Sequence, residues 1–133
     1  MPEYRLPIRV YIEDTDAGGI VYYVNYLKYF ERARTELIRS LGVDKTAVME
    51  DGSAFVVTSA AIDYHAPAQL DDQLEAVAKV VNSGAATIEF RQSVLQSGIE
   101  LASGQVRVAF TDGESGKPKR MPKKLRELLT QST

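Results

Sequence analysis

The chain contains no cysteine, which excludes disulfides, thiol catalysis and cysteine-based zinc sites. It contains one histidine, His65, and a lone histidine near a strand end reads as a hydrogen-bonded or surface residue before it reads as a base. No apolar run approaches the roughly 20 residues a membrane helix needs, so no integral membrane segment is expected. The stretch "MPEYRLPIRVY" has no basic region leading into an apolar one, so a secretory signal is not expected and the protein reads as cytoplasmic. P-loop, dinucleotide-fingerprint, G-x-S-x-G and HExxH patterns are all missing.

What remains is an ordinary globular composition, 133 residues with 44% hydrophobic and 26% charged side chains, read as one domain over residues 1–133. The net charge of −2 conceals an asymmetry. Residues 117–126, "KPKRMPKKLR", hold six of the 16 basic residues and no acid. A localised basic tail suits a phosphate-bearing ligand better than a nucleic acid, which favours a broad basic face, so no nucleic-acid partner is expected.

The segment 6–12, "LPIRVYI", alternates apolar and polar residues and predicts a first strand. From Asn25 the spacing becomes helical, with Leu27, Phe30, Ala33, Leu37 and Leu41 predicted to form the apolar stripe of a helix of about 17 residues. Asn25 fits an N-cap, Val24 a staple onto Tyr29, and Gly42 the C′ position. Residues 44–52 predict a short helical turn. Four β-rich runs follow at 54–65, 72–82, 85–96 and 100–111. Asn82-Ser83-Gly84 and Gln96-Ser97-Gly98 read as hairpin links. "PKKLRELLTQ" predicts a frayed terminal helix opened by Pro122. One strand, a long helix and four antiparallel strands make an α+β fold in which the helix buries its stripe on one sheet face. The other face and the free edges then favour self-association.

The chemistry concentrates in residues 13–26, "EDTDAGGIVYYVNY". A calcium loop starting at Asp14 matches at Asp14, Asp16 and Gly19 but lacks its bidentate carboxylate, so no metal is expected. Asp14 or Asp16 alone fits a helix-capping carboxylate. A cap does not need two glycines, which permit positive φ and close approach of backbone to a ligand. A helix N-terminus also offers unpaired N–H groups to an oxygen gaining negative charge. A carboxylate beside them can act as base or nucleophile.

At these residues the chain resembles the hotdog-fold acyl-CoA thioesterases of the YbgC and 4-hydroxybenzoyl-CoA thioesterase type. The family pattern D-x-D-x-x-G-h-V-h-h-x-N-Y, running into F-E-x-A-R, is matched by Asp14, Asp16, Gly19, Val21, Asn25, Tyr26, Phe30, Glu31, Ala33 and Arg34. "DYHAPAQLDDQLE" (63–75) and "GKPKRMPKKLRELL" resemble later family segments. The resemblance implies a five-stranded antiparallel sheet wrapped around one long helix, assembled as a dimer or dimer of dimers, with acyl-CoA as substrate and no cofactor. It implies that Asp16 is the catalytic carboxylate and that the backbone N–H of Tyr23 donates to the oxyanion. Gly19, Val24 and Asn25 would lie along the substrate.

Two departures from the family pattern matter. YbgC-type members carry histidine at the position of Tyr23, so an imidazole beside Asp16 is missing. The turn "NSGAAT" (82–87) lacks the basic residues that the other branch uses for the nucleotide, so Lys117, Lys119, Arg120 or another subunit must supply that charge. An acyl-carrier-protein substrate also fits the gap. A dehydratase or hydratase of the same fold, and a non-catalytic acyl-thioester binder, stand as alternatives. Glu31 and Arg34 are expected to pair along the helix.

Overall fold

A computed structural model describes residues 1–43 and 48–131 of the chain. Five strands form one antiparallel sheet: β1 (Glu3–Arg9), β2 (Ala54–Tyr64), β3 (Gln73–Ser83), β4 (Thr87–Gln96) and β5 (Ile99–Thr111), in the order β1-β3-β4-β5-β2. Helix α1 (Asn25–Ser40) lies over β1, β3 and β4, and a short helix, α2 (Lys123–Leu129), follows the last strand. This is the α+β layout that the pattern predicts, with the terminal helix as a second helical element. No helix among the described residues is long and apolar enough to cross a membrane.

Period-two alternation places Leu74, Ala76, Ala78 and Val80 of β3, and Ile88, Phe90 and Val94 of β4, in the core. Alanines at 76 and 78 keep the β3 surface low where α1 lies across it. The β4–β5 link is the two-residue turn Ser97-Gly98, both at positive φ, as a twisted hairpin requires. At the β5–β2 step, a Cβ on Gly104 would sit 2.2 Å from the carbonyl oxygen of Ala61, so only glycine permits this approach.

Three expectations shift. The first strand ends at Arg9, because residues Ile12–Asp14 form a 3-10 turn and the Asp14 carboxylate accepts the Tyr11 N–H at 2.8 Å. The buried stripe of α1 is Tyr26, Tyr29, Phe30, Ala33, Leu37 and Ile38, rotated from the predicted one, and Leu27 is left 38% exposed. The rotation follows the tyrosines, since the Tyr26 hydroxyl accepts the Ala68 N–H at 3.1 Å inside the core. Val24, not Asn25, occupies the N-cap position, and no side chain caps the helix. The turn expected at 44–52 lies partly outside the described residues. Its end is irregular, with Val48 bridging Ala54.

Among the strands of the described residues, β2 pairs with β5 alone, and Val48 adds one isolated bridge at Ala54. The 11 residues of β2 leave a long free edge, with Val56 and Val57 nearly half exposed. A partly apolar edge of that length is a template for another strand.

Candidate active site

Residues 14–25 are held by backbone bonds at both ends. The Asp14 carbonyl accepts two donors, the Tyr22 N–H at 2.9 Å and the buried Asn25 side chain at 2.7 Å. Asn25 therefore fastens the helix start to the loop. The loop also docks on residues 68–72, with Val21 N–H donating to Ala68 O and Leu70 N–H to Gly19 O. Gly19, at φ +79°, closes the turn where Gly19 N–H reaches back to Asp16 O. A side chain would strain that backbone.

The two aspartates differ sharply. Asp14 is buried, with its carboxylate spent on the Tyr11 N–H. Asp16 is exposed, and one of its oxygens accepts the Gly18 N–H at 2.8 Å. Its other oxygen has no partner among the described residues, so a lone pair faces outward for water or a carbonyl carbon.

At the end of the same loop, the helix entrance presents free donors. The N–H of Tyr22 and that of Asn25 are used, the latter by Tyr22 O at 2.8 Å. Those of Tyr23 and Val24 donate to nothing among the described residues. Two successive unpaired N–H groups at the positive end of a 16-residue helix suit a developing oxyanion.

Tyrosines surround this entrance. Tyr64, at the end of β2, donates to the Tyr23 carbonyl at 2.9 Å and meets the rings of Tyr23 and Tyr26 edge-on at 6.1 and 5.4 Å. With Ile20, Val21, Ala66 and Pro67 these rings line an open cleft of about 320 Å³. His65 borders the same cleft, and its Nε2 lies 2.8 Å from Ser103 Oγ and 3.6 Å from Glu100. It makes no hydrogen bond or ion pair with Asp16 among the described residues.

Burial and the Asp14 charge hold the Tyr29 phenol well above its usual value near 10. Burial likewise raises Tyr26 and Tyr64. The folded state therefore favours the neutral phenols. Their contribution is intact below pH 10 and is lost as pH rises further, because the unfolded chain ionises first. Melting temperature is expected to fall steeply between pH 10 and 11, and less steeply in Tyr29→Phe. Identical slopes for the two proteins would contradict this.

Further from the loop, Arg34 donates to Gln92 Oε1 at 3.0 Å, and Gln92 in turn donates to Phe30 O at 2.8 Å. Gln92 is fully buried in an otherwise apolar β4 row. No ion pair joins Arg34 to Glu31 among the described residues, so the expected intrahelical pair is replaced by a bond across to the sheet. Burial lowers the Arg34 pKa. This guanidinium edges a cleft of about 80 Å³ between α1 and the β5–β2 half of the sheet.

The basic tail divides. Lys119 sits 3.5 Å from Asp51 and over the Phe110 ring, and Lys117 is exposed in the turn after β5. Arg120 lines a cleft of about 420 Å³ with Lys123, Arg126 and residues Ser83, Gly84 and Ala85. Lys123 and Arg126 escaped the sequence reading because nothing local ties α2 to a turn some 40 positions earlier. The turn "NSGAAT" has no cation of its own, but three border it from α2 and the segment before it.

Residues 10–129 match the thioesterase-like superfamily model. The acyl-CoA thioesterase YbgC of Haemophilus influenzae is 43% identical over 124 residues, covering 92% of this chain and 91% of that protein. The acyl-CoA thioester hydrolase YbgC of Escherichia coli O157:H7 is 38% identical, covering 92% of each. Among solved structures, a probable thioesterase from Bartonella henselae superposes with a TM-score of 0.84 at 32% identity, over 90% of this chain and 99% of that one. With the sheet, the central helix and the Asp16 loop in place, the chain belongs to the thioesterase-like superfamily and has the hotdog fold of its thioesterases.

Proposed function

We propose that the protein hydrolyses acyl-CoA thioesters, releasing a free acid and the CoA thiol. The observation that carries this reading is the exposed Asp16 carboxylate on the loop that leads directly into the unpaired Tyr23 and Val24 N–H groups. A base or nucleophile and an oxyanion donor are what acyl transfer requires. Asp16 either takes a proton from water as it attacks the thioester carbon, or attacks that carbon itself to form an anhydride that water then opens. In both routes the Tyr23 N–H receives the carbonyl oxygen, and the sulfur leaves with a proton from solvent. Single-turnover hydrolysis in ¹⁸O-water tests the nucleophilic route: label in Asp16 marks an anhydride that water opened at the Asp16 carboxyl carbon. Gly19 and Val24 edge the substrate path, whereas Asn25 serves it by holding the loop.

Arg120 and Lys123 are proposed to hold the nucleotide phosphates, with Arg126, whose Nε already donates to Met121 O, adding charge behind them. Within one chain this cleft and Asp16 lie at opposite ends of β3, roughly 33 Å apart at about 3.3 Å per residue. A homodimer formed by antiparallel pairing of two β2 edges would carry one protomer's far end toward the other's Asp16. The free β2 edge supports that assembly, and two such dimers can pair further. Acyl-CoA as substrate places the enzyme in the cytoplasm.

In Arg120→Gln/Lys123→Gln, KM for acyl-CoA is expected to rise about 30- to 900-fold, from roughly 1–2 kcal/mol for each of the two lost charged contacts. The kcat value should stay within a few-fold. With an acyl-pantetheine, which has no nucleotide, the variant and parent should share one KM. An equal loss on both substrates would contradict the assignment.

A further inference from the structure

Tyr64 stands outside the loop that carries the chemistry, on the strand that forms the free edge of the sheet. Its place is fixed by pairing with Ala102 of β5. The hydroxyl donates to the Tyr23 carbonyl at 2.9 Å, and the ring is braced by Tyr23 and Tyr26. That carbonyl belongs to the peptide unit joining Tyr23 to Val24. In a trans peptide the C=O and N–H point in opposite directions, so a donor on the Tyr23 oxygen aims and polarises the Val24 N–H. The Val24 N–H is one of the two entrance donors without a partner among the described residues. A bond to one end of a peptide strengthens the bond that its other end makes.

We propose that the Val24 N–H is a second oxyanion donor, and that Tyr64 acts on the reaction through it by fixing and polarising the Tyr23–Val24 peptide. The inference rests on the thioesterase reading above. It gives the phenol a task that ring packing alone does not need, because phenylalanine would pack equally well against Tyr23 and Tyr26. It also explains how a site with tyrosine at position 23, and no imidazole bonded to Asp16 among the described residues, gathers stabilisation for the tetrahedral intermediate. Two amide donors, one of them reinforced from the sheet, replace a side-chain donor.

The experiment compares Tyr64→Phe with the parent in two readouts. In acyl-CoA hydrolysis, kcat is expected to fall about tenfold while KM stays within twofold, since the donor matters most when the oxygen is charged. In the ligand-free protein, the ¹⁵N resonance of the Val24 amide should shift upfield as the bond to Tyr23 O is lost, with melting temperature within 2–3 °C of the parent. Fluorotyrosine at position 64, a stronger donor with the same ring, should restore kcat to the parental value or above. A Tyr64→Phe protein with parental kcat, or an unmoved Val24 resonance, overturns the proposal. If the parent hydrolyses no acyl-CoA the thioesterase reading fails on its own, and the Val24 resonance still decides whether Tyr64 polarises that peptide.

Discussion

Asp16→Asn is expected to lower kcat for acyl-CoA hydrolysis about 10²- to 10⁴-fold, with melting temperature within about 2–3 °C of the parent. The size follows from what the substitution removes. An amide cannot take a proton from water at neutral pH and is a poor nucleophile, and base catalysis by a placed carboxylate contributes about 10²–10⁴ in rate. The stability expectation follows from the environment. Asp16 is exposed, and its one hydrogen bond, from the Gly18 N–H, suits an amide oxygen as well as a carboxylate. Asp14→Asn should behave in the opposite way. It weakens the bond to the Tyr11 N–H in a buried position and costs stability, on the order of 1–2 kcal/mol. Activity in that variant should fall only as far as the loop loosens. Urea unfolding and steady-state kinetics on both variants give a crossed pattern that a shared role for the two carboxylates would not produce.

The second large effect is structural. Gly104→Ala is expected to lower the melting temperature by about 10 °C or more. The added Cβ would meet the Ala61 carbonyl oxygen at 2.2 Å and the Ile62 Cα at 3.1 Å. Both obstacles are backbone, so no rotamer change relieves them. Relief comes only from moving β2 off β5, the only strand that β2 pairs with among the described residues. The pairs from Ala60↔Val106 to Tyr64↔Ala102 flank the clash. Tyr64 would therefore shift with the strand, and self-association through the β2 edge should weaken. Thermal unfolding and analytical ultracentrifugation read the two consequences. A variant with parental melting temperature and parental assembly would show that the β5–β2 contact has slack the geometry does not reveal.

The sequence made some of this plain and hid the rest, for reasons visible in particular residues. Alternation at Ile88 and Phe90, and at Val106, Val108 and Phe110, announced β4 and β5 because each has one face in the core. Ser97-Gly98 announced its hairpin because positive φ at both turn residues demands such residues. The helix stripe was harder. Tyr26 and Tyr29 look amphipathic in sequence, and only burial with a partner such as the Ala68 N–H turns them inward. The end of β1 was hidden by Asp14, whose carboxylate captures the Tyr11 N–H and folds "IED" into a turn. Gln92 reads as a surface residue until Arg34 and Phe30 O satisfy it in the core.

At the site, the buried Asp14 and the exposed Asp16 both lie within the one contiguous motif. The partners drawn from elsewhere in the chain could not be read. Tyr64 lies 41 positions from Tyr23, and Arg120 and Lys123 meet the 83–85 turn through packing of α2. Residues that act through long-range contacts carry no local signature, whereas the loop that holds Asp16 is contiguous and does.

The most direct test is thiol release. The purified chain, given a panel of acyl-CoA esters spanning short, long and aromatic acyl groups, should liberate free CoA thiol from at least one of them over many turnovers, and Asp16→Asn should not. Tight binding of acyl-CoA with no thiol released from any member of the panel would contradict the account and leave a binding protein on a thioesterase fold.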